Sequence, residues 1–394
     1  MIAVAMLRLQ QAEWLARPEV QDIFRLLDGE TGRTRAVGGI VRDTVLERVT
    51  PESDVDMATE LLPAEVMARA VAAGIAAYPT GIDHGTVTLR HGAVRVEVTT
   101  LRKDIETDGR HAVVQFGSDW VADARRRDFT LNALYANMDG ELFDPVDGIA
   151  DCRAGHVRFI GDPAKRIAED GLRVYRFFRF SASHGQQKFD AAGLAACGEA
   201  AGRLAHLSPE RVGAEMVRML SLPRIAATLA QLEDIGLVDF GLDAQRLLLA
   251  YERQAGVPSL EGRLALLHKR CPPVQGKWRL SNDVIARALA LYDAAKLLVA
   301  LSLNEAAYRF AAILPEALDV AGVEAGWGEA GKAAVLEKLS FIEPKPLPVS
   351  GNDLIARGFA PGPALGLALR GLERQWVESG FTLGPQQLLD LLDD

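Results

Sequence analysis

Cysteine is scarce in this sequence, and its few copies form no pattern that binds metal or builds a disulfide framework. The chain of 394 residues has three, Cys152, Cys197 and Cys271, which are widely spaced and odd in number. A disulfide scaffold and a zinc site are therefore disfavoured, and reduced thiols fit a cytosolic protein. We expect the protein to be cytoplasmic.

Long apolar runs and a secretory leader are also lacking. No window of the sequence reaches the roughly 20 apolar residues that a membrane-spanning helix needs. The first residues, MIAVAMLRLQ, have no charged segment before a brief apolar stretch that Arg8 and Gln10 interrupt. This start does not have the pattern of a signal peptide, and we expect no membrane partner.

The chain has no net positive charge, with 44 Lys and Arg against 53 Asp and Glu. A general nucleic-acid binder usually has a basic surface, so the total by itself argues against one. However, residues 151–220 carry 11 basic and 8 acidic side chains. Because salt limits the reach of distant charges to about 10 Å, a local basic surface can still bind a polyanion. The charge total therefore excludes no such ligand.

Strand and helix patterns alternate at the start of the chain, whereas the remainder is mostly helical. TRAV and DVDMAT predict short strands, and GTVTLR and VRVEVTT predict a hairpin. Residues 105–119 are polar and contain glycine, which predicts a mobile loop. From Asp162 onward the strand patterns almost disappear. We therefore predict an α+β fold, with a small mixed-sheet domain followed by an all-α remainder.

A glycine turn and two aspartates lie close together early in the chain. Gly38 and Gly39 end the TRAV strand, and Arg42 follows in a short helical pattern. Adjacent glycines let the backbone approach a phosphate, and an arginine adds a charged donor. Asp54 and Asp56 share one face of a strand, where their repulsion favours a cation such as Mg²⁺. Each motif alone is compatible with an ordinary turn or acidic strand, but together they predict a phosphate cradle beside a metal site.

Glu97 lies on the polar face of the VRVEVTT strand. It supplies a third carboxylate to the metal site if that strand neighbours DVDMAT. Alternatively, it pairs with Arg95 or Arg102, and the sequence leaves both alternatives open.

The segment ARRRDFTLNAL, residues 124–134, combines three arginines with apolar anchors. Helical spacing places Asn132 on the same face as Asp128. Adjacent arginines are usually a solvated surface, but Phe129 and its apolar neighbours hold this segment in place. We expect Arg127 to bind phosphate and Asp128 to accept a hydrogen bond from a ribose hydroxyl.

The stretch DPAKRIAEDGLRVYRFFRF, residues 162–180, places charged side chains on one face of a predicted helix. One interpretation is an amphipathic helix with internal salt bridges. The other starts from Asp170 and Arg173, which offer an acceptor beside a donor. Cytosine and adenine both present an amino group next to an unprotonated ring nitrogen, and this pair suits both. Uracil and guanine reverse the pattern, so the pair is a candidate for selecting C and A.

A further helix is predicted after Ser208-Pro209-Glu210. Its Arg211, Glu215 and Arg218 lie at helical spacing, and a structural brace is the role we expect of them.

With these motifs in order, the chain resembles the class II tRNA nucleotidyltransferases. This is the bacterial CCA-adding and poly(A) polymerase family, within the DNA polymerase beta-like nucleotidyltransferase superfamily. The matching motifs are GGIVRD, DVD, RRDFTLNAL, EDGLRVYRFFRF and SPERV, which span roughly residues 36–220 in the family's order. The chain departs from the pattern at Glu47, where the family usually has glycine, and in the longer link VTPES. His268 is followed by Lys269, so the resemblance does not extend to an HD-type phosphohydrolase.

The resemblance implies a head (residues 1–150) for catalysis, a helical neck (151–220) for base recognition, and a helical body and tail (221–394) for tRNA binding. It implies metal binding by the carboxylates of the DVD motif and triphosphate binding by the glycine turn and two arginines. The implied nucleotide-binding residues are Gly38, Gly39, Arg42, Arg127, Asp128, Asp170 and Arg173, supported by Arg176 and Arg179.

We therefore predict a template-independent enzyme that adds C, C and A from CTP and ATP to the 3′ end of tRNA and releases pyrophosphate. Mg²⁺ is the expected cofactor, tRNA is the macromolecular partner, and no obligatory protein partner is expected. One alternative is a poly(A) polymerase of the same fold, which the acidic C-terminal part disfavours. The other is an inactive RNA-binding or nucleotide-binding protein, which would not need Asp54 and Asp56.

Overall fold

The chain divides into two compact units in a computed structural model. The model describes residues 2–51, 53–107, 112–268 and 278–392. The units are Met1–Glu215 with Asp234–Leu237, and Met216–Glu233 with Val238–Asp394. The division between Glu215 and Met216 falls within one helix. The three-part division expected from the resemblance stays a prediction.

A mixed β-sheet is the main strand structure of the first unit. The strands are β1 (Thr34–Val37), β2 (Val55–Thr59), β3 (Ala76–Gly81), β4 (Thr86–His91), β5 (Val94–Thr100), β6 (Arg102–Thr107), β7 (Ala112–Phe116), β8 (Tyr135–Ala136) and β9 (Leu142–Phe143). Seven of them form one sheet in the order β3-β4-β5-β2-β1-β8-β9, while β6 and β7 pair separately. Strands β2 and β5 are parallel neighbours, and the other adjacent pairs are antiparallel.

The strand β5 shows why this segment forms a half-buried strand. Val94, Val96 and Val98 are buried, whereas Arg95 between them is exposed. This alternation directs one face of the strand to the core. The predicted hairpin of β4 and β5 is confirmed, and the position of β5 beside β2 places Glu97 opposite Asp56.

The first unit also contains a series of helices. They are α1 (Ile2–Gln10), α2 (Glu13–Ala16), α3 (Pro18–Leu26), α4 (Gly39–Val45), α5 (Pro63–Ala72), α6 (Trp120–Arg126), α7 (Gly148–Ala154), α8 (Pro163–Glu169), α9 (Leu172–Ser183), α10 (Ala191–Ala200) and α11 (Pro209–Leu220), the last of which continues into the second unit. The predicted cap of α8 is present, because Oδ1 of Asp162 accepts a hydrogen bond from the Lys165 amide at 2.9 Å. Pro163 follows at the first helical position.

The single helix expected over residues 162–180 is wrong. Asp170 has extended backbone angles (φ −151°, ψ 105°) and ends α8. Gly171 then begins α9, and a Cβ at Gly171 would lie 2.7 Å from Cδ2 of Leu204. Close packing at this glycine therefore accompanies the change of chain direction. Residues on α8 and α9 do not share one continuous helical face.

The loop expected at residues 105–119 is also corrected. Most of this segment belongs to the antiparallel pair β6 and β7, in which Arg102 lies opposite Phe116. The polar composition concealed the strands, because β-pairing satisfies backbone groups whatever the side chains are. Residues 108–111 of the predicted loop lie outside the described residues.

The helix expected through residues 124–134 ends early. The helix α6 stops at Arg126, Arg127 is extended (φ −68°, ψ 166°), and a short 3₁₀ turn covers Thr130–Asn132. The expected proximity of Asp128 and Asn132 nevertheless holds, since Nδ2 of Asn132 donates to Oδ1 of Asp128 at 3.0 Å. The turn produces the contact that helical spacing had predicted.

The regular secondary structure in the described residues of the second unit is all helical. Its helices after α11 are Ala226–Asp234, Leu242–Gln254, Leu260–Leu267, Asn282–Val299, Leu303–Phe310, Leu314–Ala325, Glu329–Ser340, Gly351–Ala356, Pro363–Glu378 and Pro385–Asp390. One apolar core contains Leu291, Leu298 and Val320, and another contains Leu354 and Trp376. The predicted α+β class, with a mixed sheet followed by helices, is confirmed.

Within the described ranges, every helix is too short or too polar to cross a lipid bilayer. Cys152 and Cys197 are buried free thiols, and Cys271 lies outside the described residues.

Candidate active site

A glycine turn joins the end of β1 to the start of α4. Gly38 has φ 73° and ψ −122°, a backbone conformation that residues with a Cβ rarely adopt. Its amide donates to the Leu134 carbonyl at 3.0 Å, and its own carbonyl accepts from the Arg42 amide at 3.0 Å. The turn therefore requires glycine for its conformation and is fixed on both sides.

Two arginines converge on this turn. A Cβ built on Gly38 would lie 3.8 Å from Nη1 of Arg127, and one built on Gly39 would lie 3.7 Å from Nη2 of Arg42. Each of the two glycines therefore has one guanidinium group beside it. The sequence separates these arginines widely, and the pairing of β1 with β8 brings them together.

The guanidinium of Arg42 is buried and held from two sides. Its Nε and Nη2 donate to the two carboxylate oxygens of Asp43, each at 2.8 Å. Its Nη1 donates to Oδ1 of Asn132 at 2.6 Å. Such a bidentate pair fixes the plane of the guanidinium as well as its position.

Arg127 is held by a buried carboxylate and a buried phenol. Its Nε and Nη2 donate to Oδ2 of Asp123 at 3.3 and 3.2 Å, and its Nε also lies 3.1 Å from the Tyr135 hydroxyl. That hydroxyl donates to Asp123 at 2.8 Å. Burial disfavours the charge of Arg127, but Tyr135 and Asp123 outweigh it and raise the pKa of Arg127. The cation is therefore permanent and its orientation is fixed.

The paired aspartates lie at the start of β2. Asp54 is exposed and directly precedes the strand, and Asp56 is partly buried within it. Burial and the charges of Glu97 and Asp54 raise the pKa of Asp56 to about 6, although Arg127 opposes them. Asp56 therefore carries a negative charge that the surrounding protein does not fully compensate.

Glu97 lies directly opposite Asp56 on β5, but its side chain forms an ion pair with Arg95. In the described part of the chain, no cluster of three or more His, Cys, Asp or Glu side chains is arranged to hold a metal. The geometry thus brings two aspartates together, and Glu97 is a neighbour with a partner of its own.

Asp128 connects Arg42 to the helix α9 through hydrogen bonds. Its Oδ1 accepts from Asn132, and its Oδ2 accepts from Nε of Arg176 at 2.7 Å. Burial opposes ionisation, but Arg176 and Asn132 lower the pKa of Asp128 to about 2. Arg176 and Arg179 both pair in turn with the buried Glu215 of α11. The expected brace by Glu215 is therefore present.

The proposed base-reading pair lies at the junction of α8 and α9. Oδ2 of Asp170 accepts from Nη2 of Arg211 at 2.8 Å, and its Oδ1 accepts from the Leu172 amide at 3.1 Å. Nη1 of Arg173 donates to Glu169 at 2.6 Å and to the Arg166 carbonyl at 2.7 Å. Asp170 and Arg173 are thus close in sequence, but each has a different protein partner.

Sequence reasoning missed Asp123 and Tyr135, which hold Arg127. Asp123 precedes Arg127 by one helical turn, and this spacing was an available signal. Tyr135 lies on β8, and the sequence shows no sign that its hydroxyl contacts Arg127. The partnership of Asp43 with Arg42 was also missed, although the two are adjacent.

Two family models match the chain. The first, described as the poly A polymerase head domain, matches residues 34–158. The second, described as the probable RNA and SrmB-binding site of polymerase A, matches residues 188–244. The first match contains the glycine turn, the paired aspartates and Arg127.

Curated relatives and a solved structure match nearly the whole chain. It is 32% identical to the mitochondrial CCA tRNA nucleotidyltransferase 1 of Mus musculus, over 96% of this chain and 92% of the relative. It is 33% identical to the CCA-adding enzyme of Limosilactobacillus fermentum, over 90% of each. The crystal structure of the Bacillus stearothermophilus CCA-adding enzyme in complex with CTP has 29% identity and a TM-score of 0.75, covering 92% of this chain and 94% of that one.

Proposed function

Because the chain belongs to the family of CCA-adding tRNA nucleotidyltransferases, we propose that it adds C, C and A from CTP and ATP to the 3′ end of tRNA. In each addition the RNA 3′ oxygen attacks the α-phosphate of the nucleotide, and pyrophosphate leaves. The observation that carries this proposal is the convergence of Arg42 and Arg127 on the Gly38-Gly39 turn, with the charge of Arg127 also acting on Asp56. In this proposal, arginines that donate hydrogen bonds to phosphate and a carboxylate that binds a cation belong to one site.

Asp54 and Asp56 are the proposed metal ligands. Nucleotidyltransferases of this family generally use a divalent cation, and we propose Mg²⁺. The residues suit such an ion, because the raised pKa of Asp56 shows negative charge that a hard cation would neutralise. Held by Asp54 and Asp56, such ions would lower the pKa of the 3′ hydroxyl and stabilise the departing pyrophosphate. Glu97 would join them only by leaving Arg95.

The glycine turn and its two arginines are the proposed triphosphate site. The close backbone approach at Gly38 and Gly39 lets phosphate oxygens reach both guanidinium groups. Arg42 and Arg127 would hold the β- and γ-phosphates and balance the charge of the leaving pyrophosphate. Since their orientations are fixed before binding, little ordering is required when the nucleotide arrives.

Asp170 and Arg173 remain the proposed base readers, with Arg176 and Arg179 supporting them. Asp170 would accept from the amino group of cytosine or adenine while Arg173 donates to the ring nitrogen. This requires Asp170 and Arg173 to share or exchange their contacts with Arg211 and Glu169. Replacing Arg173 with alanine should reduce selection against UTP and GTP, and unchanged selectivity would remove this role.

Asp128 is proposed to contact the nucleotide ribose. Its present contacts with Asn132 and Arg176 also support a second role, which is to anchor Arg176 on α9. In both roles it connects the phosphate side of the site to the base side.

The deciding experiment incubates the protein with tRNA that lacks its 3′ CCA, Mg²⁺ and all four nucleoside triphosphates. The proposal expects C, C and A only. A poly(A) ladder would identify the related poly(A) polymerase activity, and no extension would indicate a protein that only binds RNA or nucleotide. Asp54→Ala tests the metal site, and Asp139→Asn, an exposed carboxylate on the β8–β9 turn, is the matched control.

The cytoplasm is the proposed location, although some relatives carry a mitochondrial name. Microscopy of the full-length protein fused to a fluorescent reporter would test this. No protein partner is proposed for the catalytic activity.

A further inference from the structure

His184 connects the end of α9 to α4. Its amide donates to the Phe180 carbonyl at 2.8 Å, in the last turn of α9. Nε2 of the ring lies 3.2 Å from Oδ1 of Asp43, and Nδ1 lies 2.7 Å from the Ser183 hydroxyl. The side chain is only 11% exposed. Both ring nitrogens therefore have defined partners in a largely buried position.

The carboxylate of Asp43 is shared between His184 and Arg42. Its Oδ1 accepts from Nε of Arg42 at 2.8 Å and also faces His184, while its Oδ2 accepts from Nη2 of Arg42. The bidentate pair with Arg42 exists only in one orientation of this carboxylate. Because His184 contacts one of the two oxygens, it restricts the rotation of Asp43 and thereby the plane of the Arg42 guanidinium.

The protonation states agree with this arrangement. Burial lowers the pKa of His184, and the nearby charges of Arg42 and Arg48 add to this against the opposing effect of Asp43. Burial of Asp43 acts against its charge, but His184 and Arg42 lower the pKa of Asp43 to about 2. A neutral imidazole thus faces an ionised carboxylate. Because an ionised carboxylate only accepts hydrogen bonds, the hydrogen of the neutral ring lies on Nε2 and is donated to Asp43, and Nδ1 is left as an acceptor beside the Ser183 hydroxyl.

We propose that His184 is a positioning residue for nucleotide binding, which acts through Asp43 to hold the Arg42 guanidinium toward the triphosphate. This inference rests on the proposed function, because it assigns Arg42 to the triphosphate of the incoming nucleotide. CTP and ATP share that group, so His184 affects both equally. It does not influence which base is selected.

The test compares two substitutions at this position with a matched histidine elsewhere. His184→Leu keeps the approximate volume and removes the donor, whereas His184→Gln retains an N–H that can reach Asp43. His156 is the control, since its ring also bridges two carboxylates, Asp151 and Asp190, at 3.2 and 2.9 Å. Steady-state kinetics of tRNA extension would be measured with CTP and with ATP for His184→Leu, His184→Gln and His156→Leu. Thermal unfolding of the same variants would be recorded alongside.

The expected result is a KM increase of roughly fivefold for both nucleotides in His184→Leu, as loss of part of one charged hydrogen bond predicts. The kcat should stay within about twofold. His184→Gln should return the KM toward the wild-type value, and His156→Leu should change Tm without changing KM.

Three outcomes would overturn the inference: an unchanged KM in His184→Leu, a KM increase for one nucleotide only, or the same KM increase in His156→Leu. If His184→Leu does not fold, His184→Gln still tests the inference, because a KM about fivefold above the wild-type value in His184→Gln would contradict it. Failure of the proposed function would be distinguishable, since the wild-type protein itself would then extend no tRNA.

Discussion

The helix α4 and the strand β2 each carry an aspartate of the candidate site, and the two aspartates have opposite environments. Asp43 on α4 accepts hydrogen bonds from Arg42 and His184, and its pKa is lowered to about 2 against the effect of burial. Asp56 on β2 is also partly buried, but Glu97 and Asp54 add to the effect of burial and raise its pKa to about 6. The protein compensates the negative charge of Asp43, whereas it does not fully compensate that of Asp56.

This difference separates a charge with a structural role from the charge that we propose to bind the cation. The carboxylate oxygens of Asp43 already accept hydrogen bonds that orient the neighbouring Arg42. Few of their lone pairs are therefore available to a ligand. Asp56 is held near other carboxylates at a cost in stability, which a bound divalent cation would remove. Arg42 and Arg127 are also paired within the protein. The carboxylates of Asp43 and Asp123 fix their orientation before any nucleotide binds.

The largest expected effect is the loss of catalytic rate when Asp56 on β2 is replaced. Asp56→Asn should lower kcat for nucleotide addition by about a thousandfold or more, because it removes a proposed ligand of the catalytic cation. Single-turnover extension of tRNA lacking its CCA end would measure this. Asp139→Asn should retain full activity. An Asp56→Asn variant with near-normal kcat would show that the two carboxylates do not differ as described.

The second expected effect is that the free energy of unfolding falls when Asp43 is replaced but does not fall when Asp56 is replaced. Asp43→Asn should lower the free energy of unfolding by about 2 to 3 kcal/mol, because it leaves the buried Arg42 without its ionic partner. Asp56→Asn should leave it unchanged or raise it by up to about 1 kcal/mol at pH 8 without divalent cations, because it relieves carboxylate repulsion. Urea unfolding would give both values. Destabilisation by both variants would contradict the contrast.

The third expected effect is a different pH dependence at each position. The folded-state pKa of Asp56 lies above its ordinary 3.8, so its stabilising contribution is present below pH 3.8 and is lost as the pH rises through about 6. Mg²⁺ competes with that proton, so Mg²⁺ affinity should fall about tenfold per pH unit below pH 6. Thermal unfolding with and without Mg²⁺ would measure this, and Asp56→Asn should abolish the dependence.

Asp43 should show the reverse. Its folded-state pKa lies below 3.8, so its stabilisation is present above pH 3.8 and is lost as the pH falls toward 2. The difference in free energy of unfolding between the wild type and Asp43→Asn should therefore shrink as the pH falls from 3.8 toward 2. A constant deficit down to pH 2 would show that the charge of Asp43 is not what stabilises α4.

The smallest expected effect concerns the end of α4. Glu47 has φ 56°, a conformation that favours glycine, and its side chain pairs with Arg8 on the surface. Glu47→Gly should be about 1 kcal/mol more stable than Glu47→Ala, because both lose the ion pair but only glycine relieves the backbone. Thermal unfolding of the two variants would test this. Equal stability would mean that no strain is stored where α4 ends.

Much of the fold could be predicted from local patterns. The alternation in β5, the proline and aspartate at the start of α8 and the glycines after β1 each specify structure within a few residues. The predictions over residues 105–119, 124–134 and 162–180 were wrong in their secondary structure. In each case a long-range pairing or a close packing contact, such as Gly171 against Leu204, decided the backbone.

The sequence suggested which residues form the candidate site, but it did not show which groups they contact. Gly38, Gly39, Arg42, Asp54 and Asp56 follow from motif chemistry. That Asp123 and Tyr135 hold Arg127, or that His184 reaches Asp43, depends on segments far apart in the chain. Hydrogen bonds between such segments form only when their elements pack together, and no local spacing encodes them.

The sequence by itself determined the fold class, the glycine turn and the identity of the charged groups near it. Only the tertiary structure decided which of those charges are compensated. Asp43 and Asp56 are the same residue type, but Arg42 and His184 bond to the carboxylate of Asp43, whereas the charges of Glu97 and Asp54 oppose the ionisation of Asp56. Because the cost of burying a charge depends on its nearest neighbours in space, the packing, rather than the residue type, sets the protonation of each aspartate.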